Sequence, residues 1–89
     1  MERAVIDCGT IRTKEAFHAA LSQALRFPAW YGGNLDALHD CLTEIGEDTA
    51  IVITEMGEAD ESGRRILSVI TDSAGENPHL RVYLAARVV

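Results

Sequence analysis

The run Ala50-Ile51-Val52-Ile53-Thr54 restricts the possible architecture more than any other stretch of this sequence. A strand with one wet face alternates apolar and polar residues. This one is apolar or β-branched throughout, the pattern of a strand covered on both faces and set centrally in a sheet. A chain of 89 residues can supply such cover only by wrapping helices and neighbouring strands around it.

The remaining segments provide them. Ala4-Val5-Ile6 reads as an opening strand from about Arg3 to Asp7, ending in a turn at Cys8 and Gly9. Thr13 is placed to cap a helix whose apolar stripe is Ala16, Phe17, Ala20, Leu21, Ala24 and Leu25, with Pro28 opposing its continuation. The segment from Phe27 to Asn34 is a loop, with paired glycines and Asn34 as the next N-cap. A second helix is expected from Leu35 to about Ile45, stopped by Gly46 in the left-handed conformation. Beyond the central run, Glu55 to Glu61 reads as an acidic loop. Ile66, Leu67, Val69 and Ile70 share a helical face that runs until Gly75 and Pro78, and the last strand spans Leu80 to Val89. The order strand, helix, helix, strand, helix, strand predicts an α/β sandwich, in which a small parallel sheet with right-handed crossovers forms a single domain over 1–89.

Charge narrows the function. The net charge is −6, from 14 acidic and 8 basic residues, which argues against nucleic acid as a partner because phosphate binding needs a basic surface. Every Lys and Arg lies outside Phe27 to Gly63. That stretch holds Asp36, Asp40, Glu44, Glu47, Asp48, Glu55, Glu58, Asp60 and Glu61. No stretch has the ~18 consecutive apolar residues of a membrane span, and the N-terminus lacks the apolar region of a secretion signal, so a cytoplasmic protein is expected. Cys8 and Cys41 have neither CxxC spacing nor the flanking histidine pattern of a zinc site, which predicts reduced thiols and no metal site. No cofactor motif is present.

The second helix has two incompatible faces. At roughly 100° per residue, Leu35, Leu38, Leu42 and Ile45 line up as a core stripe with Cys41 at its edge, while Asp36, Asp40 and Glu44 stack opposite with no cation among them. Like charges at i,i+4 cost about 0.2–0.5 kcal/mol per pair, so helix stability alone does not account for this face. Trp30 and Tyr31 stand just before it, and aromatic anchors beside unpaired carboxylates have the composition of a binding patch. An enzymatic pairing of Asp36 with Asp40 fails because both lie side by side on one exposed face. Cys41 points roughly 160° away from His39, so those two cannot act together either.

The continuous segment Pro28-Ala29-Trp30-Tyr31-Gly32-Gly33-Asn34-Leu35-Asp36-Ala37-Leu38-His39-Asp40-Cys41-Leu42-Thr43 resembles the signature of the barstar family, intracellular inhibitors of guanyl-preferring microbial ribonucleases. The flanks are similar too, at Ala4-Val5-Ile6, Ile11-Arg12 and the Ile/Val-rich strand. The resemblance implies a three-stranded parallel sheet packed with about three helices. It also implies an inhibitory surface made of Trp30, Gly32, Asn34, Leu35, Asp36, His39, Asp40 and Thr43, with a second acidic patch at Asp72 and Glu76. By the same resemblance, Asp40 enters the ribonuclease's phosphate-binding pocket and Asp36 meets a basic residue at its rim.

Three departures bear on the target. Trp30 replaces a usual tyrosine, His39 stands where tryptophan is common, and Met56 to Gly63 is too short for the additional helix of longer members. The implied partner is a basic, secreted ribonuclease bound one-to-one by a monomer. An immunity protein or regulatory module for another basic toxin or protein is the alternative that an acidic recognition helix equally allows.

Overall fold

The computed structural model describes residues 2–85. Three strands, β1 (Glu2–Asp7), β2 (Thr49–Thr54) and β3 (Leu80–Leu84), form one parallel sheet in the order β1-β2-β3, so the uninterrupted β-branched run is the central strand, as expected. Three helices, α1 (Lys14–Leu25), α2 (Leu35–Thr43) and α3 (Glu61–Glu76), complete the α/β fold. A single 3₁₀ turn at Met56–Glu58 occupies the acidic connection before α3. The part of the expected last strand at 86–89 lies outside the described residues.

Strand alternation decides which side is buried. Across the sheet Ala4 pairs with Ile51 and Val82, and Ile6 with Ile53 and Leu84. On this side Ile6, Ile51, Ile53 and Leu80 pack with Phe17 and Leu21 of α1, Leu38 and Leu42 of α2, and Ile66, Leu67 and Ile70 of α3. Fully burying one such side chain contributes roughly 1.5–3 kcal/mol, and this single cluster fixes all three helices on the sheet.

The opposite side corrects the sequence expectation of two covered faces. There Val5, Val52 and Tyr83 stand in register, and Val5 and Tyr83 remain 56% and 54% exposed. An apolar run marks the central position because neighbouring strands shade it, and a helical layer on each face is not required.

The helices differ from expectation in detail. Thr13 caps α1 by accepting the Ala16 N–H at 3.1 Å, but Ala16 and Ala24 face solvent and His18 is buried in their place. The stripe is narrower than the alanine spacing suggests, because alanine sits equally well on either face. Leu35 is exposed rather than part of the α2 core stripe, since it occupies the first helical turn, ahead of the packed segment. α2 ends at Thr43 with Glu44 as a right-handed cap, so Gly46 is not its left-handed terminator. α3 ends at Glu76, between Gly75 and Pro78, as expected.

Candidate protein-binding face

The approach to α2 is fixed from inside. The Tyr31 ring is half-buried and packs on Phe27 at a centroid distance of 4.8 Å, and its hydroxyl bonds to His18 Nδ1. Burial lowers the His18 pKa and raises that of Tyr31 to about 12, so both are neutral at pH 7. We assign the phenol as the donor and the imidazole nitrogen as the acceptor. Trp30, one residue earlier, is 58% exposed, which separates the two aromatics into an anchor and a free ring. Gly32 is exposed, and Gly33 takes φ 67°, the left-handed region that glycine enters without a Cβ clash, to turn the chain into the helix. Asn34 then caps it, its Oδ1 accepting the Ala37 N–H at 2.8 Å.

The other end of α2 is held by a residue that sequence reasoning passed over. The last carbonyls of a helix lack intrahelical donors. Here Asn77, only 4% exposed, inserts its amide and donates from Nδ2 to the carbonyls of Leu42 and Ile45, both at 2.9 Å. Its Oδ1 accepts the His79 N–H at 2.9 Å. The available signal was Asn77-Pro78 at the end of a helical stretch. Proline restricts the residue before it to extended backbone, and Asn77 has φ −121° and ψ 108°.

Between these two asparagines, Leu38, Cys41 and Leu42 face the core while Asp36, Asp40 and Glu44 face solvent. Thr43 is half-buried, and its hydroxyl donates to the His39 carbonyl at 2.9 Å, tying it to the helix backbone. Cys41 is buried, and burial, followed by the Glu44 and Asp40 charges, pushes its thiol pKa up, which is the reverse of what an activated nucleophile needs.

α3 brings Glu76 to this face, but already engaged. Its carboxylate lies 2.5 Å from His39 Nε2, while His39 Nδ1 is 3.9 Å from Asp40 Oδ1. The hydrogen bond to Glu76 raises the His39 pKa most, with smaller raising contributions from the charges of Glu76, Asp40 and Asp36 and an opposing one from desolvation. Asp72, one turn earlier on α3, is exposed and forms no ion pair among the described residues. The face is also not acidic to its edge. Beside Asn34 and Leu35, a cavity of about 200 Å³ is lined by Lys14 of α1 and Ser62 and Arg65 of α3, cations that the linear charge pattern placed far from α2.

The site is thus a short helix, capped at both ends, that presents carboxylates on a parallel α/β layer with an aromatic loop at its head. This chain belongs to the family described as Barstar (barnase inhibitor), which it matches over residues 1–85. Over 43 residues it is 46% identical to the "Putative ribonuclease inhibitor YrdF" of Bacillus subtilis (strain 168). That similarity spans 48% of this chain and 47% of the relative, about half the length of each.

Proposed function

We propose that this chain inhibits a microbial ribonuclease by placing α2 and the Trp30–Asn34 loop over its basic, phosphate-binding active site. Such a site holds an anionic transition state with donors and positive charge, and a carboxylate on a rigid helix can take the place of the substrate phosphate. Asp40, near the middle of the displayed face, is the plug, Asp36 flanks it, and Trp30 covers the rim. The observation that carries this reading is that α2 shows Asp36 and Asp40 to solvent with no lysine or arginine in the helix, while Asn34 and Asn77 hold its two ends. The family and the relative's name support a ribonuclease as the target class.

In this reading the partner is a secreted, guanyl-preferring ribonuclease. The chain acts as a cytoplasmic monomer in a 1:1 complex, protecting the cell that makes both proteins. Acidic steering of a basic partner raises the association rate, an effect that salt weakens.

The test is titration of the protein into a panel of guanyl-preferring ribonucleases, following activity and complex formation together. The expected result is stoichiometric loss of activity with at least one of them. Full activity throughout, combined with formation of a stable complex with a different basic toxin, would replace the ribonuclease by that partner.

A further inference from the structure

His39 faces three carboxylates from two elements: Asp36 and Asp40 of its own helix, and Glu76 of α3. Among the described residues no lysine or arginine is paired with any of the three. The two ring nitrogens point to different acids, Nε2 to Glu76 at 2.5 Å and Nδ1 toward Asp40 at 3.9 Å. A neutral imidazole has one N–H and spends it on Glu76. The imidazolium keeps that bond and turns a second N–H, with its positive charge, toward Asp40 at ion-pair distance.

We propose that Glu76 is a positioning residue that holds His39 across the α2–α3 seam, and that docking of a basic partner onto Asp40 expels a proton from the other side of the His39 ring. The proposal rests on α2 being the surface that receives a basic partner. When a cation of the partner reaches Asp40, the carboxylate no longer needs the Nδ1 proton, and the added positive potential disfavours the imidazolium. The Nδ1–H bond breaks and the proton passes to solvent. The ring stays neutral, still donating from Nε2 to Glu76. Before docking, the cluster carries three carboxylates and one cation; afterwards it carries three carboxylates alone. The face becomes more acidic as a basic surface arrives, and Glu76 contributes through His39 rather than by touching the partner.

The raised His39 pKa agrees in sign. The free protein binds the proton up to a pH above the ordinary histidine value of about 6.5, so affinity rises with pH through that window and levels off beyond it.

Two experiments decide the point. In the free protein, ¹⁵N NMR of the imidazoles is expected to show His39 titrating above 6.5, with Glu76→Gln moving its midpoint down. Adding a tri-arginine peptide at low ionic strength should also lower the wild-type midpoint. A His39 midpoint that ignores Glu76→Gln overturns the positioning role, and one that ignores or rises with the peptide overturns the proton release.

With a ribonuclease that the wild type inhibits, calorimetry at pH 6.5 in two buffers of different ionisation enthalpy should show up to one proton released per complex. Affinity should rise by up to about tenfold per pH unit, and both effects should vanish in His39→Gln. If no ribonuclease is inhibited, the proposed function falls, while the NMR and peptide results still decide this inference.

Discussion

The two broad surfaces of this protein are opposites. The open side of the sheet exposes Val5 and Tyr83, which stand in register across it on either side of Val52. The α2 face exposes mostly charge, yet it is secured at four points: Asn34 at the helix start, Asn77 at its end, His18 under the loop and Glu76 across the seam. Exposed apolar area is common on folded proteins and by itself says little, whereas a polar surface whose backbone is held from behind has given up conformational freedom that solvent alone does not demand. The difference teaches that the hydrogen bonds beneath a surface, more than its composition, separate a face held in one conformation from one merely left uncovered.

The contrast can be tested most severely at Asp40. Asp40→Ala is expected to cost about 2–5 kcal/mol of affinity for the inhibited ribonuclease, mostly as faster dissociation, because it strips one member of a desolvated charge pair. Glu44→Ala, at the solvent-side end of the same acidic row, should stay within about 1 kcal/mol and act mainly on the association rate. Equal effects measured by surface-binding kinetics would dissolve the distinction between plug and rim.

Next is Asn77→Ala, which leaves the Ile45 carbonyl without its donor and the Leu42 carbonyl with only the long Ile45 N–H contact at 3.4 Å. Losing the donor to a buried acceptor costs about 1–3 kcal/mol, and neither carbonyl here is both fully buried and left bare, so denaturant unfolding should show a loss of roughly 1–3 kcal/mol. Tyr31→Phe removes one hydrogen bond and should cost about 1 kcal/mol of stability.

The same pocket predicts a pH dependence. His18 has a folded pKa below its unfolded value, so stability is lost as pH falls below about 6.5, where the unfolded chain takes up the proton first. His39 has the opposite sign: its raised pKa contributes stability at low pH, lost as pH rises through the folded value. His18→Gln should flatten the acid limb of the stability curve, whereas His39→Gln should not. The smallest effect is expected on the open side, where Tyr83→Thr should change stability by less than about 1 kcal/mol and leave inhibition untouched.

Much of this arrangement is written locally. The central place of β2 follows from its β-branched run, the caps at Thr13 and Asn34 follow from short side chains at helix starts, and the acidic row follows from four-residue spacing. The ends of helices were harder to read. Gly46 marks a stop that the chain does not use, because the end of α2 is satisfied by the side chain of Asn77, just past α3, and Arg26 ends α1 in the left-handed conformation without being a glycine. The same limit applies to the candidate site. Asp36 and Asp40 announce themselves by periodicity, but the His39 to Glu76 contact joins residues 37 apart, and Lys14 and Arg65 reach the margin of α2 only once α1 and α3 are packed. Pairings made through the fold leave no trace in spacing.

The Asn77-Pro78 pair also bears on how the molecule ages. Asparagine side chains decay to aspartate when the following backbone nitrogen attacks the amide and closes a five-membered imide. Proline has no N–H with which to do so. The one asparagine whose conversion would set a carboxylate against the carbonyl end of α2 is thus followed by the residue that blocks this route to deamidation, and the cap of the displayed helix keeps its donor over time.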